Sequence, residues 1–242
     1  GRVEMLQFDS VIYTNLTQDH LDFHETMENY FQAKNKIFSK LRDNNSSAIV
    51  NADDLYGVRI LQENKSRKNN FMSYSITDKA SDIYGEVLKY NNFGMKIKIV
   101  YENKEYRFNS KLVGNYNLSN ILSCVGVLVK LGIEMNDIIE KIQKIESVPG
   151  RFQLIENDKA IRVVVDFAHT EDGLINVLQT LKEMTKNKVI TIFGAGGDRD
   201  KAKRKKMGIA ATKYSDNIII TSDNPRNDNP MDIINEIESG IK

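Results

Sequence analysis

Residues 14–34 read TNLTQDHLDFHETMENYFQAK. They follow an apolar run, Val11-Ile12-Tyr13, that has the composition of a buried strand. Asp19, His20, Asp22 and His24 then fall within six residues, and a helical pattern carries Lys34 about one turn beyond Tyr30. Two of the three histidines of the chain, His20, His24 and His169, lie in this stretch. A strand that ends in a loop of carboxylates and imidazoles and then enters a helix is where open α/β sheets place ligands. The reading is therefore α/β. Two histidines near a strand end are also ordinary polar surface, and a lysine late on a helix is ordinarily solvated. Against that, the Lys34 stem leaves a face carrying Tyr30, Phe31 and Ala33. The acidic and imidazole groups before it suit a hard metal or a metal-bound phosphate.

Outward from this stretch, 242 residues suffice for one large or two modest domains. A formal net charge of +1 gives no reason to invoke nucleic acid or a membrane surface. The single cysteine, Cys124, excludes an internal disulfide, and its place in ILSCVGVLV predicts a buried thiol. No apolar segment is long enough to span a bilayer. No signal peptide is visible, although the chain starts with Gly1 and has no initiator methionine. A cytoplasmic monomer is the expectation.

Along the chain, helix 26–42 leads to a strand at SAIVN, a helix at DDLYGVRILQEN and a strand at FMSYS. From Asp82 to Ser110 apolar and polar residues alternate between turn residues, which predicts a small antiparallel sheet. Gly114 precedes a helix whose start gathers Asn115, Asn117 and Asn120. Asparagine caps helices well, and its amide also offers the donor and acceptor that suit an adenine edge. A second helix, MNDIIEKIQKI, closes this half. Val148-Pro149-Gly150-Arg151 breaks the pattern, so the domains are set at 1–148 and 149–242. RFQLIE then reads as a strand. The apolar run IRVVVDFAHT reads as a parallel strand covered on both faces, with Asp166 and His169 at its end. KVITIFGAGGDRDKAKRKKMGIAATKY is strand, glycine turn and helix. Its third G-x-G-x-x-G glycine is replaced by Arg199, which argues against a dinucleotide site. The strand NIIIT leads into the turn-forming loop SDNPRNDNP, and DIINEIESGIK is helical.

TNLTQDHLDFH followed by YFQAK resembles the central-domain signature of the Mur ligases, most closely the diaminopimelate-adding MurE type. The resemblance covers nearly the whole chain, with several motifs in family order. It implies the later part of a P-loop-type ATPase domain followed by a Rossmann-like C-terminal domain. It implies that His20 binds Mg2+, and that Lys34, as a carbamate, helps place Mg2+ and the ATP γ-phosphate. Arg2 takes the position of an arginine that contacts the UDP-linked substrate. The G-x-[FY]-N-x-x-N motif puts Asn117 and Asn120 near the ATP base. Arg151 of the P-G-R segment, with Asp166 and His169 of D-[YF]-A-H, become nucleotide contacts. GAGGDRDKxKR is similar to the signature whose first arginine, Arg199 here, helps bind the incoming amino acid. Asp223-Asn224-Pro225-Arg226 reproduces the D-N-P-R motif associated with diaminopimelate. A guanidinium fork can grip that substrate's distal carboxylate, and lysine has none.

The function implied is ATP-dependent amide ligation in peptidoglycan precursor synthesis: meso-diaminopimelate is joined to UDP-MurNAc-L-Ala-D-Glu through an acyl phosphate. Its partners are these small molecules and ATP. The alternatives are a lysine- or lanthionine-adding relative, a ligase like folylpolyglutamate or cyanophycin synthetase, and a non-catalytic nucleotide-binding remnant. D-N-P-R and DRDKxKR argue against the second. No G-x-x-G-K-[ST] loop occurs in the 242 residues, and the chain enters a strand abruptly and stops in a helix. The expectation is an internal fragment of a longer ligase. Calorimetric titration of the 242-residue chain with Mg-ATP should accordingly show weak binding, because the phosphate loop normally supplies backbone donors and a lysine. Low-micromolar binding would overturn that reading.

Overall fold

The computed structural model describes residues 3–18, 21–67, 70–91, 94–146, 148–159, 161–198 and 200–241. The chain forms two compact units, Gly1–Leu16 with Thr26–Glu146, and Thr17–Glu25 with Ser147–Lys242.

In the first unit β1 (Ser10–Tyr13), β2 (Ser47–Asn51) and β3 (Phe71–Ser75) are linked through helices. After a short helix, α1 (Leu21–His24), which belongs to the second unit, come α2 (Met27–Asn35), a 3₁₀ turn at Lys36–Lys40, and α3 (Leu55–Glu63). Then follow β4 (Ile83–Asn91), β5 (Gly94–Tyr101), β6 (Lys104–Ser110), α4 (Asn115–Lys130) and α5 (Met135–Lys144). Among the described residues these strands form one six-stranded sheet in chain order. It is parallel from β1 to β4 and antiparallel from β4 to β6.

The central strand explains the layering. Strand side chains alternate between faces. Ala48 and Val50 pack with Phe31, Phe38 and Ile60 on one side, while Ile49 packs with Leu118, Leu122 and Val125 on the other. All five residues of β2 are buried, as expected of a parallel strand with helices on both faces.

Three expectations are corrected by the fold, two of them in this unit. Residues 82–110 do pair antiparallel as expected, but not as a sheet of their own. Tyr74 and Ser75 pair in parallel with Ile83 and Tyr84, so these hairpins extend the main sheet. Ile83, Met95, Ile97 and Ile99 join the core under α4, and burying that face favours continuation over a detached hairpin. Cys124 is exposed, not buried. α4 turns Leu118, Leu122 and Val125 onto the sheet, which at 3.6 residues per turn sends Cys124 and Asn120 outward.

The second unit contains β7 (Gln153–Ile155), β8 (Val163–Val165), α6 (Glu171–Met184), β9 (Ile190–Phe193), α7 (Ala202–Tyr214), β10 (Asn217–Ile220) and α8 (Pro230–Glu238). β9 and β10 are parallel, as a strand–helix–strand crossover requires. Leu174, Leu178, Phe193, Met207, Ala211 and Ile237 form its core. The run IRVVVDFAHT does not become a covered parallel strand. Only Val163–Val165 is extended, it pairs antiparallel with β7, and Val165 is 45% exposed. The short connection from β7 makes this local pairing easy to form, and Asp166 ends the strand by turning onto two backbone donors.

Candidate functional site

Lys34 is positioned by helix capping and by one aromatic anchor. Thr26 caps α2, its hydroxyl accepting from the Asn29 N–H at 3.1 Å. Glu28 in the first turn and Lys34 in the last both suit the helix dipole. Phe31 is fully buried and stacks on Tyr56 with ring centroids 5.0 Å apart. One turn on, Lys34 Nζ donates to the Asn15 carbonyl at 3.2 Å and stands 5.3 Å from the Tyr30 ring centre. Burial pushes the Lys34 amine below the ordinary lysine range, and the charge of Asp54 pulls the other way.

The Phe31→Ala variant is expected to destabilise this unit by about 3–5 kcal/mol, the usual cost of a buried phenyl. Urea denaturation checks it, through a lower midpoint at unchanged slope. A loss below about 1 kcal/mol would show that the site repacks without the ring.

The residues on either side of Asn15 are fixed. Asn51 Nδ2 donates to the Thr14 carbonyl at 2.7 Å, and Asp54 accepts from Leu16 N–H at 3.1 Å and from the Tyr13 hydroxyl at 3.3 Å. Asp54 also caps α3 by accepting from Gly57 N–H at 3.0 Å. Gly57 has to be glycine, since a Cβ there would lie 1.9 Å from the Asn51 carbonyl oxygen. Asn51 and Asp54 thus lock the ends of β1 and β2 together. Sequence reading did not single out either. An aspartate three residues before a helical glycine is a capping signal that could have found Asp54. Asn51 has no comparable local signal.

His20, Arg2 and Arg199, three of the sequence candidates, lie outside the described residues. Among the described residues no group of three or more His, Cys, Asp and Glu side chains gathers into a metal cluster. A carbamylated Lys34 would change the donor set by adding two hard oxygens, which fit Mg2+ chemically.

The asparagines of α4 differ. Asn117 is buried and donates one amide N–H to the Val113 carbonyl at 2.7 Å, holding the helix start. Asn120 is exposed.

In the second unit, Arg151, Asp166 and His169 are brought together by one turn assembly. Phe152 takes φ +44° after Gly150 at φ +69°. Asp166 accepts from the Phe152 and Ala168 N–H groups, each at 2.7 Å, and Phe167 N–H donates to the Gly150 carbonyl at 2.9 Å. The Arg151 guanidinium lies 5.1 Å from the Phe167 ring centre. His169 Nδ1 sits 3.1 Å from the Phe167 carbonyl. A carbonyl only accepts, so in this contact Nδ1 carries the hydrogen.

The third set lies where β9 and β10 end. Gly197 N–H donates to the Asn224 carbonyl at 2.9 Å, and Thr221 N–H to the Phe193 carbonyl at 3.0 Å. A Cβ on Gly197 would meet the Pro225 carbonyl oxygen at 1.7 Å, so the two loops touch backbone to backbone. Asp228 N–H closes a turn onto the Pro225 carbonyl at 2.9 Å. Arg226 sits in that turn at φ +48°, a left-handed conformation that costs a non-glycine residue about 1–2 kcal/mol. Its Nη1 donates to the Gly197 carbonyl at 2.5 Å, and the side chain is exposed, leaving further donors for a ligand. Asp223 and Asn224 are exposed beside it, with Pro225 half-buried. Gln18, which sequence reading passed over, bridges this unit's Asp200 at 3.4 Å and Lys206 at 2.6 Å.

Comparison with known proteins gives the family. The Mur ligase middle domain matches residues 1–128, and the Mur ligase glutamate ligase domain matches residues 150–242. A UDP-N-acetylmuramoyl-L-alanyl-D-glutamate–2,6-diaminopimelate ligase of Fusobacterium nucleatum is 43% identical over 242 residues, covering 100% of this chain and 48% of the relative. A solved structure of a ligase of the same name superposes with a TM-score of 0.65 at 34% identity, covering 100% of this chain and 49% of that one. A MurF ligase from Thermotoga maritima, in complex with ADP, shares the fold at a TM-score of 0.73 and 17% identity, over 99% of this chain and 63% of that one. The chain spans about half the length of the curated relatives it matches. The chain belongs to the Mur ligase family. Its architecture is α/β, as expected, with a Mur ligase middle domain followed by a C-terminal domain.

Proposed function

We propose that this chain forms the middle and C-terminal parts of an ATP-dependent ligase that adds meso-diaminopimelate to UDP-MurNAc-L-Ala-D-Glu, with domains at 1–148 and 149–242. The observation that carries the substrate reading is the loop pair at the ends of β9 and β10. It holds Arg226 in a strained turn with its guanidinium partly free. Strain of this kind persists where the surroundings over-determine it, and it clusters at ligand clamps.

In this reading ATP phosphorylates the γ-carboxyl of D-glutamate. The amine of diaminopimelate then attacks the acyl phosphate, the C–N bond forms, and phosphate leaves as the amine loses a proton. His20 and the Lys34 carbamate would hold Mg2+, which would supply charge neutralisation for the phosphoryl group. Arg151, Asp166 and His169 contact the nucleotide, with Asn117 and Asn120 near the base. Within that set, one Asn117 N–H is taken by the Val113 carbonyl, which leaves its second N–H and its carbonyl oxygen for the base. Arg2 contacts the UDP-linked substrate. Arg226, with Asp223, Asn224, Pro225 and Arg199, receives the amino acid. No described helix is long and apolar enough to cross a membrane. The enzyme acts as a cytoplasmic monomer, where ATP and the nucleotide-linked substrate are supplied.

The test is to give the ligating protein that carries these residues UDP-MurNAc-L-Ala-D-Glu, Mg-ATP and either diaminopimelate or lysine. Phosphate release and product mass are read together. The expected product is the diaminopimelate tripeptide. Preference for lysine, or ATP turnover with neither amino acid joined, overturns the proposal.

A further inference from the structure

The run Lys201–Lys206 has the composition of a solvated basic face, yet Arg204 is only 1% exposed. The period of α7 places it on one buried stripe with Met207, Gly208 and Ala211. Its guanidinium reaches three segments. Nη2 donates to the Gly196 carbonyl at 3.1 Å, in the loop after β9, and to Asp228 Oδ2 at 2.6 Å, two residues past Arg226. Nη1 donates to Glu236 Oε2 on α8 at 2.8 Å. Asp228 also accepts from Asp198 N–H at 3.3 Å. It therefore ties the glycine loop to the loop that bears Arg226 from both directions. The Arg204 hydrogen bond holds the Asp228 carboxyl below the ordinary aspartate range, so the pair is ionised.

We propose that Arg204 is a positioning residue for amino-acid selection: by clamping Gly196, Asp228 and Glu236 together it sets the spacing of the two loops, and hence where the Arg226 guanidinium stands. The inference rests on the reading that Arg226 receives the distal carboxylate. The fork geometry is what the role needs. A planar guanidinium spans acceptors on three separate segments, whereas a lysine ammonium is a single point. A site that selects by a bidentate contact tolerates little displacement of that contact.

The experiment uses Arg204→Lys in the ligating protein, which keeps the charge and loses the fork. Asp228→Asn is the second variant, attacking the same clamp from the other side should Arg204→Lys fail to fold. Steady-state kinetics are measured with diaminopimelate and with lysine, beside Arg226→Ala and the double variant Arg204→Lys/Arg226→Ala. Arg204→Lys should raise KM for diaminopimelate about 10-fold with kcat at saturation and KM for ATP near wild type. The preference for diaminopimelate over lysine should fall, and the double variant should be less than additive. A folded Arg204→Lys or Asp228→Asn enzyme with a lowered melting temperature but wild-type KM and preference shows a structural ion pair only, and overturns the proposal. If Arg226→Ala itself leaves the preference unchanged, the substrate reading of Arg226 fails first, and the proposal with it.

Discussion

Replacing Lys34 by alanine in the ligating protein should lower turnover by about 10²–10³-fold, the loss typical of removing one group that stabilises developing charge. The fold should survive, because the side chain is half-buried and makes one backbone hydrogen bond, to Asn15. The expected effect rests on the proposed conversion of the amine to a carbamate. Only the neutral amine attacks carbon dioxide, forming an N–C bond and releasing a proton to leave a carbamate. Burial depresses the Lys34 pKa and so enlarges the neutral fraction at a given pH. The sign follows: as pH falls, protonation of the amine withdraws it from carbamate formation, and activity that depends on the carbamate falls with it. The product is an anion suited to a hard metal, where the parent lysine is a cation. Short carboxylates should partly restore turnover to Lys34→Ala by occupying the vacated space. The checks are steady-state turnover with and without added acetate, and a denaturation midpoint for each protein. Near-normal turnover in a folded Lys34→Ala protein removes Lys34 from the chemistry.

What could be read from the sequence was local. The β1 run, the helix carrying Lys34 and the P-G-R and D-F-A-H segments each announce themselves by a few adjacent residues, and the structure gathers Arg151, Asp166 and His169 into one turn. The parts that escaped depend on partners far along the chain. Arg204 looks solvated because its acceptors Asp228 and Glu236 lie 24 and 32 residues away. Asn51 looks like a strand end until the Thr14 carbonyl is seen opposite it. The hairpins of residues 83–110 alternate as an isolated sheet would. Nothing in that alternation shows that Tyr74 and Ser75 supply an edge for them. Cys124 sits in a run apolar on every side, so composition said buried. Only the helix phase, fixed by Leu118, Leu122 and Val125 against the sheet, turns it out.

The Arg226→Ala variant should raise KM for diaminopimelate strongly, with a loss of about 2–4 kcal/mol in transition-state binding, or roughly 30- to 1000-fold in kcat/KM. The structure adds a reason for the position as well as for the residue type. A non-glycine residue at φ +48° is held there by the Asp228-to-Pro225 turn and by its own hydrogen bond to Gly197. One Nη is thereby anchored, and the rest of the fork is presented without further loss of side-chain entropy. Truncation to alanine removes both the anchor and the charge. KM for ATP should change far less, because the nucleotide contacts are assigned to Arg151, Asp166 and His169. Activity with lysine should not fall in parallel, since lysine has no distal carboxylate to lose. Arg199→Ala should resemble Arg226→Ala if both line one pocket, and their double variant should be less than additive. Kinetics with both amino acids on the wild type and three variants decide it. An Arg226→Ala enzyme that keeps the wild-type preference for diaminopimelate would reduce D-N-P-R to a turn. The strained backbone would then serve only to seat Pro225 against Gly197, and the selecting group would have to be sought elsewhere.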